Sequence, residues 1–369
     1  MELPNLKIGE LVAKYPIIQG AMGVGVSLSK LAGTVANEGG IGVISGVQIG
    51  FEEPGFEENN DAANVQGLRK HIQRAREISP EGILGVNLLV AIQNYKDMVT
   101  AAVEEKVDII ISGAGLPTEL PKLVEGSDTK IAPIVSSGKA ARLIAKMWDR
   151  KHQVIPDAVV VEGPEAGGHL GFSKEDLTKP TLPNIYELVE EVIEALKPFE
   201  KKYNKSIPVI AAGGIFDGKD MAKAFKKGAA GVQIGTRFVA TEECDAHPNF
   251  KEAYIHSKEG EIELVTSPVG MPGRAVVNQL TERIKTDNIP VEKCYNCLIP
   301  CNPKTTPYCI SNALIRSVKG DVEQGLVFAG SNAYRITKMT TVKELMQELI
   351  EETKEAMGYH SESQEAPSL

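Results

Sequence analysis

The residues best suited to do chemistry lie in positions 162–171, which hold two carboxylates, four glycines and one histidine. The residues before them, 158–161, form an apolar run typical of a strand buried on both faces. His169 is the only side chain in this stretch whose unperturbed pKa lies near neutrality, so it is the candidate for acid–base catalysis. On its own, the pattern fits a histidine that caps a loop equally well.

Two pairs of residues further along the chain could bind an anion. Gly213 and Gly214 follow one apolar segment, and Gly235 and Thr236 follow the next. Backbone N–H groups in such turns, together with the Thr236 hydroxyl, supply the convergent donors that a phosphate needs. The alternative is that these glycines only permit tight turns. Their occurrence after two consecutive segments favours phosphate binding.

Four of the five cysteines lie close together, with the spacing C-x₂-C-x₃-C-x₇-C. If the protein is intracellular, metal binding is favoured over disulfides. The spacing resembles the iron–sulfur segment of flavin-containing dienoyl-CoA reductases. A [4Fe–4S] cluster, structural zinc and free or redox-active thiols all remain open. The predicted ligands are Cys294, Cys297, Cys301 and Cys309.

Eight short apolar segments, each followed by a helical pattern or a turn-rich loop, would position these groups. Eight such alternations predict an α/β fold, a (β/α)₈ TIM barrel, whose catalytic and phosphate-binding groups follow the strands. A doubly wound open sheet is the alternative, but the loop after the first segment lacks the G-x-G-x-x-G spacing. The segments are residues 16–20, 40–46, 84–90, 107–115, 131–137, 158–162, 208–214 and 231–237.

We expect the barrel to comprise residues 1–255 and 331–357, with an inserted C-terminal cysteine-rich segment at 256–330. Residues 358–369 are polar and are predicted to form a disordered tail. Residues 48–62 are predicted to be a solvated loop near the barrel mouth. Residues 27–38 are predicted to be a helix with a serine as its N-cap, and residues 139–149 a second helix.

Charge and hydropathy exclude some classes of protein. The net charge of −9 argues against a nucleic-acid-binding protein, which needs a basic surface. No apolar run reaches the ~18 residues that a membrane-spanning helix needs. The first residues do not resemble a secretion signal, so a cytoplasmic location is expected.

Six motifs, found in order along the chain, resemble those of the nitronate monooxygenase family (2-nitropropane dioxygenases). That family includes the FMN-dependent enoyl-acyl-carrier-protein reductase II enzymes. The resemblance covers about residues 4–350, apart from the cysteine segment. The motifs are PIIQGAM (16–22), GVNL (85–88), GAG (113–115), EGPEAGGH (162–169), AAGGI (211–215) and QIGTRF (233–238).

The resemblance implies an FMN-binding barrel in which His169 lies beside the flavin ring. The backbone of Ala21 and Met22 and the side chain of Asn87 would contact that ring. Glu162 would lie along the sugar chain of FMN or orient His169. The residues implied to bind the phosphate are Gly213, Gly214, Gly235 and Thr236, with Gln233 on the strand beside them.

The leading functional hypothesis is a nitronate monooxygenase that acts on a small-molecule substrate. His169 would then be the base for a proton α to a nitro group. The alternative is an NAD(P)H-dependent enoyl-thioester reductase, in which His169 orients or protonates the product. A third hypothesis, a non-catalytic redox sensor, is disfavoured by the intact acid–base loop. A homodimer is a further expectation.

Overall fold

The computed structural model describes residues 2–359 and contains a closed barrel of eight parallel strands. The barrel strands follow one another in chain order, and the last pairs with the first. The predicted TIM barrel is therefore confirmed. The strands are β1 (Leu6–Ile8), β2 (Leu11–Ala13), the barrel strands β3 (Ile17–Gln19), β4 (Ile41–Ser45), β5 (Ile83–Leu89), β6 (Ile109–Gly113), β7 (Lys130–Val135) and β8 (Val159–Glu162), the short β9 (Gly168–His169), the barrel strands β10 (Val209–Ala212) and β11 (Gly231–Ile234), and finally β12 (Ile262–Thr266) and β13 (Pro272–Val276).

Helices between the strands cover the outside of the barrel. No helix within residues 2–359 is long and apolar enough to cross a membrane. The predicted helix at 139–149 is present and is slightly longer than predicted. The helices are α1 (Ser29–Asn37), α2 (Asn60–Ile78), α3 (Tyr95–Glu104), α4 (Leu120–Leu123), α5 (Gly138–His152), α6 (Lys174–Leu177), α7 (Ile185–Tyr203), α8 (Gly218–Lys226), α9 (Thr236–Val239), α10 (Pro248–Ile255), α11 (Gln279–Thr286), α12 (Ile310–Val318) and α13 (Val342–Ala356), with a 3₁₀ turn at Ala333–Arg335.

The alternation of side chains along each strand divides the core into two layers. In β8, Val160 packs inside the barrel, while Val159 and Val161 pack in the layer between barrel and helices. Successive side chains of a strand point to opposite faces, so Glu162 points to the same side as Val160. The final polar residue of this strand is thereby directed into the mouth of the barrel.

The two ends of the barrel differ in polarity. At the N-terminal end, the antiparallel hairpin β1–β2 adds Leu6 and Ile8 to the apolar interior. At the C-terminal end, Glu162, Ala212 and Gln233 lie opposite one another on three adjacent strands. Side chains paired in this way point to the same face of the sheet. The closed end stabilises the barrel, and the polar end is available for chemistry.

A small antiparallel sheet crosses the polar end of the barrel. β12 and β13 form a hairpin, and β13 also pairs with β9, which places Gly273 opposite His169. Residues 256–330 thus provide part of the mouth, and their predicted status as an inserted segment stays a prediction. Most of the predicted tail, residues 360–369, lies outside the described residues.

The predicted N-cap of α1 is wrong. The Ser27 hydroxyl accepts a hydrogen bond from the Met22 N–H at 2.8 Å, outside the helix. The free N–H groups at the start of the helix are bound by Asp245, whose carboxylate accepts from Leu28 at 2.8 Å and Leu31 at 3.2 Å. The carboxylate of Asp245, which is distant in sequence, therefore caps the helix in place of the neighbouring serine.

The loop at residues 48–62 is not fully solvated, in contrast to the prediction. Its apolar side chains Ile49, Phe51 and Phe56 are buried. Phe56 stacks against Tyr295 with ring centroids 5.4 Å apart, so the loop packs on the cysteine segment. Glu52, Glu57 and Glu58 are exposed, whereas Glu53 is half-buried and forms an ion pair with Lys70.

Candidate functional site

A cavity of about 470 Å³ lies at the C-terminal end of the barrel. Strand ends, the loop at residues 163–171 and the C-terminal segment line it together. All ten residues predicted to act in catalysis or cofactor binding line this cavity: Ala21, Met22, Asn87, Glu162, His169, Gly213, Gly214, Gln233, Gly235 and Thr236. The structure therefore brings the predicted site residues together, while their individual roles stay predictions.

One corner of the cavity is rich in free hydrogen-bond donors. Within residues 2–359, the backbone N–H groups of Gly213, Gly214, Gly235 and Thr236 donate to no other protein atom. Gly213 and Gly214 have φ values of +78° and +99°, which side-chain-bearing residues rarely adopt. Convergent free N–H groups on two adjacent strand ends are suited to bind an anion such as phosphate.

The cavity also presents two free side-chain amides. Asn87 and Gln233 point into the barrel mouth, and neither amide has a hydrogen-bond partner in the described part of the chain. The Met22 N–H, by contrast, already donates to Ser27. The backbone N–H of Met22 is therefore not free for a ligand, while the two amides offer donors and acceptors to a heterocycle.

His169 lies on β9 at the edge of the cavity, with its ring held on two sides. Its Nε2 atom is 2.6 Å from the Ser267 hydroxyl oxygen. The Phe328 ring meets it edge to face at a centroid distance of 5.0 Å. Burial lowers the pKa of His169 to about 4. The imidazole is therefore neutral at pH 7 and able to accept a proton.

Arg274 holds the loop that leads to His169. Its guanidinium donates to the carbonyl oxygens of Pro164 at 2.7 Å and Ala166 at 2.6 Å. Gly167 packs so closely on Ala329 and Gly330 that a Cβ atom would lie 2.5 Å from the Gly330 nitrogen. The loop is thereby fixed in one arrangement although it is rich in glycine.

Glu162 is a carboxyl group enclosed at the end of β8. In the described residues its side chain has no hydrogen-bond partner, and burial raises its pKa to about 7. A carboxyl group of this kind is partly protonated at neutral pH and can donate or accept a proton. Glu162 is therefore a second titratable group facing the cavity.

The pKa of Glu162 predicts a pH-dependent stability. The unfolded carboxyl ionises near pH 4.5 and the folded one near pH 7, so folding stability falls as the pH rises between these values. We expect Glu162→Gln to stabilise the FMN-free protein at pH 8, by at most about 3 kcal/mol and less where water enters the cavity. At pH 4.5 the difference should vanish. Denaturant unfolding at pH 4.5 and pH 8 measures the difference in unfolding free energy, with the exposed Glu81→Gln as control. If the stabilities of the wild type and of Glu162→Gln changed with pH in the same way, the prediction would be contradicted.

The structure does not support the predicted metal centre. Within residues 2–359, no group of three or more His, Cys, Asp or Glu side chains is placed to hold one metal ion. The chain around Cys297 runs beside residues 91–93, where Ile92 and Leu298 form a bridge. Cys294 is exposed, whereas Cys297 is half-buried, and burial raises its pKa to about 11.

Three residues of the site were not identified from the sequence: Ser267, Arg274 and Phe328. All belong to the C-terminal segment, about a hundred residues or more beyond His169. Residues 262–266 and 272–276 are short runs separated by a turn that contains Ser267, Pro268 and Gly270. This is a hairpin signal, but it does not indicate which distant strand the hairpin contacts.

Comparison with known proteins agrees with this architecture. A family model described as "Nitronate monooxygenase" matches residues 5–352. A protein of Staphylococcus haemolyticus, described as a probable nitronate monooxygenase, is 26% identical over 373 residues, which cover 92% of this chain and 94% of that protein.

Two solved structures are similar along nearly the whole chain. FabK from Thermotoga maritima shares 30% identity with a TM-score of 0.73, covering 94% of each chain. Nitroalkane oxidase from Streptomyces ansochromogenes shares 23% identity with a TM-score of 0.71, covering 95% of this chain and 98% of its own. The second likeness supports the fold alone.

Proposed function

We propose that the chain, which belongs to the nitronate monooxygenase family, binds FMN and oxidises alkyl nitronates with O₂. The chain is an oxidoreductase of that family. The observation that carries the finer proposal is the position of a neutral, enclosed His169 in the same cavity as a cluster of free N–H donors. Together these features suit a phosphate-bearing cofactor and an alkyl nitronate, which His169 could also form from the neutral nitroalkane by taking its α-proton.

The residues of the cavity fit FMN. The N–H groups of Gly213, Gly214, Gly235 and Thr236 would hold its phosphate, since they lack partners in the described chain. The amides of Asn87 and Gln233 would meet the polar edge of the ring system. Glu162, between these groups in the barrel mouth, would lie along the sugar chain. When bound, FMN supplies an electron acceptor that O₂ can reoxidise.

His169 handles the proton in this proposal. At pH 7 its imidazole is neutral, because burial lowers its pKa to about 4. Its Nδ1 atom makes no hydrogen bond within the described residues, while Nε2 contacts Ser267. Nδ1 is therefore the atom that would take the α-proton of a neutral nitroalkane. A nitronate, which has already lost that proton, would not require this step.

Oxygen consumption tests the proposed function. We expect the purified protein to carry FMN and to consume O₂ when an alkyl nitronate is the sole electron donor. An oxygen electrode measures the uptake, and release of nitrite confirms the product class. Retention of FMN without oxygen uptake from any nitronate tested would contradict the nitronate assignment.

The second candidate is an NAD(P)H-dependent enoyl-thioester reductase. Glu162 favours it, because a carboxyl group with a pKa near 7 can donate a proton at neutral pH. His169 disfavours it as the acid, since a pKa near 4 leaves it unprotonated. NAD(P)H as a partner, a homodimer and a cytoplasmic location stay predictions from the sequence.

A further inference from the structure

The turn between β12 and β13 places Ser267 beside His169. Ser267 is 6% exposed, and its hydroxyl oxygen is 2.6 Å from the His169 Nε2 atom. The turn is fixed from two sides: the Val269 N–H donates to the same hydroxyl at 3.3 Å, and the Tyr308 hydroxyl donates to the Thr266 carbonyl at 3.0 Å. Ser267 is therefore held in place independently of the imidazole that it contacts.

A hydroxyl group has one hydrogen to donate and two lone pairs to accept with. Ser267 can accept from both the Val269 N–H and the His169 Nε2–H if its own hydrogen has a further acceptor. An open groove of about 590 Å³ lies on its outer side, where water can accept that hydrogen. The groove is lined by Ser267 together with Phe172, Lys174, Leu264 and Met271.

We propose that Ser267 is a positioning residue whose hydroxyl oxygen accepts the Nε2–H of His169. The lone pair of His169 is then on Nδ1, the ring nitrogen that makes no hydrogen bond within the described residues. When Nδ1 takes up a substrate proton, the same hydrogen bond stabilises the imidazolium, because hydrogen bonds to a charged donor are stronger. This inference rests on the proposed role of His169 as a base.

In the part of the chain that the structure describes, no charged or titratable side chain near His169 is placed to accept its Nε2–H. The end of β8 and the loop after it provide Glu162 and Glu165, and β13 provides Arg274. A smaller cavity that His169 also lines is lined by Asp61 and Cys297. Within the described residues, none of these side chains hydrogen-bonds to the imidazole. The Ser267 hydroxyl is its polar contact.

Nitrogen-15 NMR of histidine-labelled, FMN-bound protein tests the tautomer directly, with His169→Gln used to assign its signals. We expect the wild type to carry the proton on Nε2, and Ser267→Ala to give a mixture of tautomers. A wild-type proton on Nδ1 would overturn the proposal. This readout requires no turnover, so it decides the role of Ser267 even if the protein oxidises no nitronate.

Kinetics provide the second measurement. Ser267→Ala should lower kcat for a neutral nitroalkane by about 10- to 100-fold, the loss expected for a hydrogen bond to a charged group, with KM unchanged. Turnover of a preformed nitronate should fall far less, because that substrate needs no proton removal, and Ser267→Thr should restore activity because it keeps the hydroxyl. Ser257→Ala is the matched control: Ser257 is 7% exposed, and within residues 2–359 its hydroxyl donates to the Tyr254 carbonyl and to no other group. Equal losses on both substrates would contradict a positioning role.

Discussion

His169→Ala is expected to lower kcat for a neutral nitroalkane by about 10²- to 10⁴-fold, the usual contribution of a general base. Turnover of a preformed nitronate should fall far less, because that substrate needs no proton removal. FMN should remain bound, since the free N–H donors of its phosphate corner belong to Gly213, Gly214, Gly235 and Thr236. Parallel steady-state assays with the two substrate forms measure the difference.

His71→Ala is the matched control for this substitution. Burial lowers the pKa of His71 to about 4, as it does for His169. His71 lies on α2, however, where its Nδ1 atom contacts the Ser29 hydroxyl at 3.1 Å. We expect His71→Ala to lower the stability of the protein but to leave unchanged the ratio of its kcat values for the neutral nitroalkane and the nitronate. If His169→Ala lowered both activities equally, the proton-transfer role would be wrong.

Gly213→Ala is expected to weaken FMN binding by at least about 10-fold and to destabilise the fold by about 2–4 kcal/mol. Gly213 has a φ of +78°, and an added Cβ would lie 2.8 Å from the Ala166 Cβ and 2.9 Å from the Gly163 carbonyl oxygen. Because one contact is backbone, the strand end must shift and take the phosphate donors with it. Fluorescence titration of the FMN-free variant with FMN measures the affinity.

Gly126→Ala is the control for Gly213→Ala, because it introduces backbone strain without a steric clash. Gly126 has a φ of +81°, but an added Cβ would have no atom within 4 Å. We expect this variant to lose only about 1 kcal/mol of stability and to bind FMN normally. Unchanged FMN affinity in Gly213→Ala would show that the corner near β10 does not hold the phosphate.

The residues at the polar end of the barrel were predictable because their positions follow from the alternation within each strand and from the order of the strands. The alternation of side chains along each strand places Asn87, Glu162 and Gln233 inside the barrel as soon as the strands are assigned. Closure of the barrel then brings the glycines that follow β10 and β11 to the same end. The glycines were predicted from this position, whereas Asn87 and Gln233 were identified through the resemblance to the family, and the strand alternation explains why they lie at the same end.

The partners of His169 were not predictable, because they depend on contacts between distant segments. Ser267 reaches the imidazole only after β13 has paired with β9, and strand pairing at this separation leaves no local signal. Asp245 binds the start of α1 from more than two hundred residues away. The cysteine spacing predicted a metal centre that the structure does not support, although, beyond the effect of burial, Cys309 and Cys301 lie near enough to Cys297 to raise the pKa of its thiol.

Anaerobic mixing of the FMN-bound protein with single electron donors tests the central claim most directly. The flavin absorbance reports which donor delivers electrons to the site. With an alkyl nitronate, we predict rapid loss of the oxidised-flavin band, and with NADH or NADPH we predict that the band persists. Rapid bleaching by NADH or NADPH, with no response to the nitronate, would contradict the account and identify the chain as a reductase.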